Sequence, residues 1–389
     1  MNRDLLSGEY KRFPKHWDVI PFTKAFKDMT GGQTKIPKGD YLERGDIPII
    51  DQGQDLIGGY TNEYQAVCDI RLPCVLFGDH TKIFKFITKP FALGADGVKV
   101  LSEANNIDPK FAYYFLNTLN LPDVGYSRHF RFLKRTFFPL PPLEEQRRIA
   151  AILDKADGVR RKRKEAIRLT EELLKSTFLE MFGDPVTNPK GWEVRELGDC
   201  VKDIESGWSP KCDTRQAEPE EWGVLKLGAV TYGHFNPDEN KAMLPDDVPR
   251  QELEIKTGDL LVTRKNTYEL VGASAFVQMT RPKLMLPDLI FRLRLIDGID
   301  PVYVWQTLSQ KTMRLKLSGL AGGTAGSMPN ISKARLRTLP FPVPPQLLQL
   351  KYREIFNQFW LKKEHQKESE EISENLFNSL LQKAFRGEL

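Results

Sequence analysis

The chain has 389 residues, 57 Lys and Arg against 52 Asp and Glu, a net charge of +5 and 40% hydrophobic residues. That is a globular composition, long enough for two to four domains and basic enough to permit a polyanionic partner without requiring one. No run of about 18 apolar residues occurs and Met1-Asn2-Arg3-Asp4 opens no apolar leader, so neither a membrane span nor a secretory signal is expected. The four cysteines (Cys68, Cys74, Cys200, Cys212) make no CxxC pair, which fits reduced thiols of a cytoplasmic protein and no structural metal.

Residues 1–138 predict a mixed α/β domain. Short β-like stretches, Ile47–Asp51, Val75–Phe77, Lys82–Ile87 and Gly97–Leu101, are broken by Gly and Pro. Asp108–Asn117 carries Phe111, Tyr114 and Phe115 at helical spacing. Pro139–Pro142 then stops regular structure, because Pro lacks the N–H and fixes φ. Leu143–Phe182 follows without a proline, its apolar residues recurring every three or four positions, including Ile149, Leu153, Val159, Leu173, Phe178 and Phe182. A helix of that length spans about 60 Å. Gly183-Asp184-Pro185 ends it.

Residues 186–341 repeat the pattern, with candidate strands Gly223–Leu227, Asp259–Thr263, Ala273–Val277 and Leu289–Leu295 and a helix at Pro301–Ser309. Pro345–Phe385 is the second long helix. Phe138-Pro139-Leu140-Pro141-Pro142 recurs as Phe341-Pro342-Val343-Pro344-Pro345, 203 positions on, and Ile107-Asp108-Pro109 recurs as Ile299-Asp300-Pro301, 192 positions on. At the 203-residue offset Leu169 matches Ile372, Leu173 matches Leu376 and Phe182 matches Phe385. Two helices with matching apolar faces are expected to bury them against each other as an antiparallel coiled coil, although Arg163 and Lys362 fall in or near the seam.

Catalytic signatures are weak. There is no GxxxxGK[ST] phosphate loop and no [DN]PP[FYW] tetrapeptide, and the proline pairs follow Leu140 and Val343. Gly322–Gly326 follows no clear strand, so it reads as a loop. Pro245-Asp246 with Glu254 and Lys256 is too tightly spaced for a nuclease centre, and the five histidines are scattered.

The polar features suit nucleic acid better. Tyr126–Arg135 interleaves Arg128, Arg131, Lys134 and Arg135 with His129, Phe130 and Phe132. His80-Thr81-Lys82 and Arg264-Lys265-Asn266 each leave an apolar strand at corresponding places in the two halves. Such residues neutralise phosphates and reach base edges in the major groove. Together with Thr324 and Asn330 of the Gly319–Asn330 loop, these residues (His80, Thr81, Lys82, Arg128, His129, Arg131, Lys134, Arg264, Lys265, Asn266) are the candidate DNA contacts. The dense Arg160–Lys164 run reads equally as a solvated helix face.

The stretch Pro139-Leu140-Pro141-Pro142-Leu143-Glu144-Glu145-Gln146-Arg147-Arg148-Ile149-Ala150, the helix end Phe178–Pro185, the run Gly326–Ser332 and the terminal Lys383–Leu389 closely resemble the DNA-specificity subunit of type I restriction–modification enzymes. The resemblance covers the whole chain. It implies an α+β fold in which target-recognition domains (1–138 and 186–341) alternate with conserved spacer helices (139–185 and 342–389) about a pseudo-two-fold. Each domain would read half of a bipartite double-stranded DNA site. The helices would set the gap and dock two methyltransferase subunits, to which restriction subunits are added. Catalysis, with S-adenosylmethionine, ATP and Mg, would belong to those partners, leaving this chain without cofactors. Pro141, Pro142, Glu144, Glu145, Gln146, Arg147, Pro344 and Pro345 would carry the partner contacts, with a departure at Leu347-Leu348-Gln349, where the second copy lacks Glu-Glu. A helical adaptor without DNA binding, and a nuclease or methyltransferase acting alone, are the competing readings.

Overall fold

A computed structural model of the chain describes residues 13–94, 97–104, 106–123, 125, 127–322 and 328–389. It divides into two compact units, Met1–Glu165 with Lys367–Leu389, and Ala166–Gln366. Each long helix, Leu143–Phe182 and Gln346–Arg386, gives one part to each unit.

In the first unit the strands are β1 (Asp18–Pro21), β2 (Phe26–Asp28), β3 (Ile47–Ile50), β4 (Gly59–Thr61), β5 (Cys74–Gly78), β6 (Phe84–Ile87), β7 (Ala92–Leu93), β8 (Val98–Glu103) and β9 (Phe137–Leu140). They form sheets ordered β2-β8-β5-β6, β4-β3-β7 and β1-β9. β5 is buried at every position, as its apolar sequence CVLFG requires of a central strand. Helix Pro109–Leu116 is started by Asp108, whose carboxylate accepts the Lys110 and Phe111 amides at 3.0 and 2.9 Å, with Pro109 in the first turn.

The second unit repeats this chain path. Its strands are β10 (Glu193–Glu196), β11 (Val201–Ser206), β12 (Gly223–Leu225), β13 (Asn240–Ala242), β14 (Leu260–Thr263), β15 (Ser274–Phe276), β16 (Leu284–Met285), β17 (Ile290–Leu295) and β18 (Pro340–Val343). The sheet orders, β11-β17-β14-β15, β13-β12-β16 and β10-β18, match those of the first unit strand for strand. Asp300 caps Pro301–Ser309 as Asp108 caps its counterpart.

The sequence repeat also fixes where the long helices enter the cores. In the first unit Phe385 packs 5.5 Å from Phe111 and 5.3 Å from Phe115. In the second unit its repeat mate Phe182 lies 4.8 Å from Tyr303 and 5.6 Å from Tyr352. Gly183 ends the first long helix at φ +76°, and a Cβ there would meet Pro189 at 2.6 Å.

Within each unit the two helix segments run antiparallel, but their middle portions meet through polar groups. Arg160 donates to Glu374 at 2.9 Å in the first unit, and the repeat-equivalent pair, Lys363 and Glu171, meets at 2.5 Å in the second. Gln366 donates to Thr170 at 3.3 Å. The expected apolar seam is therefore corrected. Leu169, Leu173, Ile372, Leu376 and Val159 are exposed, and burial is concentrated at Ile149, Leu153, Phe178, Phe182, Phe377 and Phe385, where a globular core covers the helix. Among the described residues no helix is long and apolar enough to cross a membrane, and no group of three or more His, Cys, Asp or Glu is placed to hold a metal ion.

Candidate nucleic-acid interface

In the first unit three loops are fastened to one another. Asp79, buried at the exit of β5, accepts the Phe130 amide through its carboxylate at 2.6 Å and the His129 amide through its carbonyl at 2.8 Å. The strand-exit loop is thus tied to the short helix Phe130–Leu133. Thr81 donates its hydroxyl to the Gln52 carbonyl at 2.7 Å, and the His80 amide donates to Gln52 Oε1 at 3.2 Å, which brings in the loop after β3. That loop is pinned from below by Lys85, 5% exposed, whose ammonium donates to the Asp51 carbonyl at 2.7 Å and also to the Asp55 carbonyl. Burial pulls the Lys85 pKa below its usual value, opposed by the nearby Asp51 and Asp55.

On this frame Thr81, Arg128, Arg131, Lys134 and Arg135 are exposed, while Phe130 and Leu133 of the same short helix face the core. The guanidinium of Arg131 lies over Phe132 at 4.7 Å and the ammonium of Lys134 over Phe130 at 5.5 Å, so both cations are positioned by rings beneath them. Lys82 adopts φ +63° and pairs with Asp123 at 3.5 Å.

The second unit brings together residues far apart in sequence. Arg264, leaving β14, donates Nε to Asn330 Oδ1 at 3.1 Å, and its guanidinium lies 5.6 Å over the Phe291 ring. The Ile331 amide donates to the Arg264 carbonyl at 2.9 Å, and Lys265 bridges Asn330. Thr324 lies outside the described residues.

Three expected contacts are corrected. His129 is 1% exposed, with Nδ1 3.0 Å from the Asp79 carbonyl. It secures the loop from inside and is closed off from DNA. Asn266 is 8% exposed, donates to Thr231 Oγ1 at 3.2 Å and caps the Thr267 amide, so it shapes the turn. Gln146 is fully buried. Its Oε1 accepts the Asp108 amide at 2.9 Å, and its Nε2 donates to the carbonyls of Asn106 at 3.0 Å and Pro141 at 2.8 Å. Gln349 makes the equivalent bonds to the Asp300 amide and the Pro344 carbonyl, at 2.9 and 2.7 Å. The glutamine shared by the two proline clusters is an internal brace, unavailable to a partner.

The outer surfaces of the clusters differ. Pro141 and Pro344 are buried, and Pro142 and Pro345 are exposed. Glu144 and Arg147 form an exposed pair at 3.1 Å, while Glu145 accepts the Trp17 indole N–H at 3.2 Å. At the repeat-equivalent places of Glu144 and Arg147 the second copy presents Leu347, 82% exposed, and Leu350. Pro245–Lys256 is not a catalytic cluster: the Glu254 carboxylate accepts the Lys283 amide at 2.7 Å, and its carbonyl accepts from Arg292.

Sequence reasoning missed Asp79, Gln52 and Lys85, whose roles depend on which loops the fold brings into contact. The two braces were signalled, because Gln146 and Gln349 recur at one offset and Asp108 and Asp300 recur before proline.

The structure is thus a doubled α+β scaffold whose strands β5 and β14 release different polar loops at matching places. The family described as "Type I restriction modification DNA specificity domain" matches residues 17–169. The EcoR124I/EcoR124II specificity subunit of Escherichia coli is 31% identical over 345 residues, 82% of this chain and 81% of that one. The EcoEI specificity subunit, also from Escherichia coli, is 36% identical over 178 residues, 45% of this chain and 30% of that one. In two further relatives the match spans 54% and 57% of their length, so the chain spans about half the length or less of these three. The solved S subunit of the type I restriction-modification system from M. genitalium superposes with a TM-score of 0.59 over 95% of this chain and 96% of that one, at 15% identity, which supports the fold. The chain belongs to the family of type I restriction enzyme specificity subunits.

Proposed function

We propose that this chain is the non-catalytic, cytoplasmic DNA-reading subunit of a type I restriction–modification complex. Residues 1–138 recognise one half of a bipartite double-stranded site and residues 186–341 the other. The spacer helices, 139–185 and 342–389, set the gap and dock two methyltransferase subunits, with restriction subunits added to that assembly. S-adenosylmethionine, ATP and Mg act on those partners.

The observation that carries this reading is the matched strand exit. β5 and β14 hold the same place in the same sheet order, and each releases a polar loop, His80-Thr81-Lys82 in one and Arg264-Lys265 in the other. One scaffold with two different reading edges fits two different half-sites. In the first, Thr81, Lys82, Arg128, Arg131 and Lys134 contact DNA. In the second, Arg264 and Lys265 do so, with Asn330 orienting Arg264. The docking faces around Pro142 and Pro345 are chemically unequal, an ion pair on one and exposed leucines on the other, so the two methyltransferase contacts differ in strength and salt dependence.

Mapping methylated adenines in DNA from cells that express this chain with its methyltransferase tests the proposal. A two-part motif with a fixed gap is expected. Shortening the spacer by about four residues, one helical turn, should change the gap and leave both half-sites intact. A protein that shows no salt-sensitive DNA binding, with or without a methyltransferase, would instead be an adaptor.

A further inference from the structure

The second unit contains a cavity of about 520 Å³ between helix Pro301–Ser309, the 232–235 loop and its segments of the two long helices. Its walls are aromatic. Trp305 lies 5.4 Å from Phe356, which lies 6.3 Å from Trp360 and 6.2 Å from Phe276. One polar group is left over inside it. Gln306, 4% exposed, lines the cavity with a side-chain amide that has no hydrogen-bond partner among the described residues. The Trp305 indole N–H is also unpartnered, but it is fully covered and does not open into the cavity. Buried polar groups are normally satisfied, so the Gln306 amide calls for a ligand that meets it. Lys175, Lys363 and His234 stand against the one carboxylate of Glu171, which Lys363 engages.

The first unit supplies an internal control. There Tyr113 and Tyr114 occupy the repeat places of Trp305 and Gln306, Phe377 that of Leu174, and Arg160 that of Lys363. The Phe377 ring lies 6.1 Å from Tyr114 and 4.4 Å below the Arg160 guanidinium. Tyr114 donates its hydroxyl to Asp154 at 3.1 Å. That unit fills the space with its own ring beneath a cation. The second unit has Leu174 and Gln306 at those places, and carries Phe356 and Trp360 where the first has Leu153 and Asp157, so its rings stand around the space instead of in it.

We propose that the cavity binds an adenine-type nucleotide. The base stacks among Trp305, Phe356 and Trp360, beside Leu174 where the first unit places Phe377, with Lys363 above it. The Gln306 amide offers one donor and one acceptor, which match the amino group and adjacent ring nitrogen of adenine. The phosphate lies toward Lys175 and His234. Its lining includes none of the residues proposed to contact DNA, and the inference does not rest on the function proposed for them. The base has two possible sources, a free nucleotide or an unstacked adenine in a single strand.

The test titrates the full-length chain with adenosine monophosphate and, separately, with a short oligo-dA strand, following tryptophan fluorescence and calorimetry. Saturable binding is expected for one or both. Leu174→Phe, which restores the ring of the first unit, should weaken it about tenfold or more. Gln306→Leu, of similar size, should do the same while leaving the thermal unfolding profile intact. Nucleotide binding lost in both variants supports a free ligand, and binding of oligo-dA alone with the same losses supports a strand-borne base. Absence of binding to the wild-type chain, or binding indifferent to both substitutions, overturns the proposal.

Discussion

Gln146→Leu separates a structural brace from a partner contact. The substitution keeps the bulk of the side chain but removes three hydrogen bonds, to the Asp108 amide, the Asn106 carbonyl and the Pro141 carbonyl. Net contributions of about 0.5–1.5 kcal/mol each, with a buried amide stranded at the start of helix Pro109–Leu116, put the loss at about 3 kcal/mol. For a unit of this size that lowers the unfolding midpoint by about 6–12 °C. Calorimetry of the isolated full-length chain reads it, with the change expected in one of two transitions if the units unfold separately. Gln349→Leu should produce a comparable loss in the other unit, since its bonds are of the same kind. Glu144→Ala is the control: that side chain is exposed, and its removal should stay within about 0.5 kcal/mol. A Gln146→Leu chain less than about 1 kcal/mol destabilised, yet impaired in methyltransferase binding, would refute the brace and restore the partner role.

Replacing Arg131 and Lys134 with Ala should weaken binding to all duplex sequences alike and reduce the slope of log affinity against log salt by about two, measured by anisotropy across a salt series; an unchanged slope would remove these cations from the DNA contact. Arg292 is 1% exposed and donates to Glu205 at 2.5 Å, Asp259 at 3.1 Å and the Glu252 and Glu254 carbonyls. Arg292→Ala should therefore cost about 3 kcal/mol in urea unfolding, by stranding the Glu252 and Glu254 carbonyls and leaving Glu205 and Asp259 paired with Arg294. Burial, aided by Asp108, pushes the Glu103 carboxyl up from 4.5 to about 7, against the pull of its own backbone hydrogen bond and of Arg71. A raised carboxyl pKa stabilises the folded protein fully below pH 4.5 and loses that contribution as pH rises through 7, by at most about 3 kcal/mol. Glu103→Gln should flatten the decline between pH 5 and 8.5 relative to wild type, and identical pH profiles would show that the carboxyl titrates normally.

Much of the architecture was legible in the residues. Leu143–Phe182 and Pro301–Ser309 have the bounds that apolar period and proline punctuation predict, while the sheet order that the two units share emerged only in the structure. Local rules suffice there, because an amphipathic period and a helix stop act within a few residues of themselves. The sequence did not say which apolar residues of the long helices are covered. Leu173 and Phe178 belong to one helical pattern, yet only Phe178 meets a globular core, while Leu173 is exposed beside a polar seam. Nor did it distinguish Arg131, exposed over a ring, from His129 two residues earlier, turned inward onto Asp79. By itself the sequence determined the doubled order of elements and the family to which the chain belongs. Tertiary structure decided which polar side chains face outward and which are spent inside as braces, because that depends on the loops from distant strands that share a boundary. The unequal filling of one repeated site, Phe377 in the first unit and a cavity beside Leu174 in the second, was decided the same way.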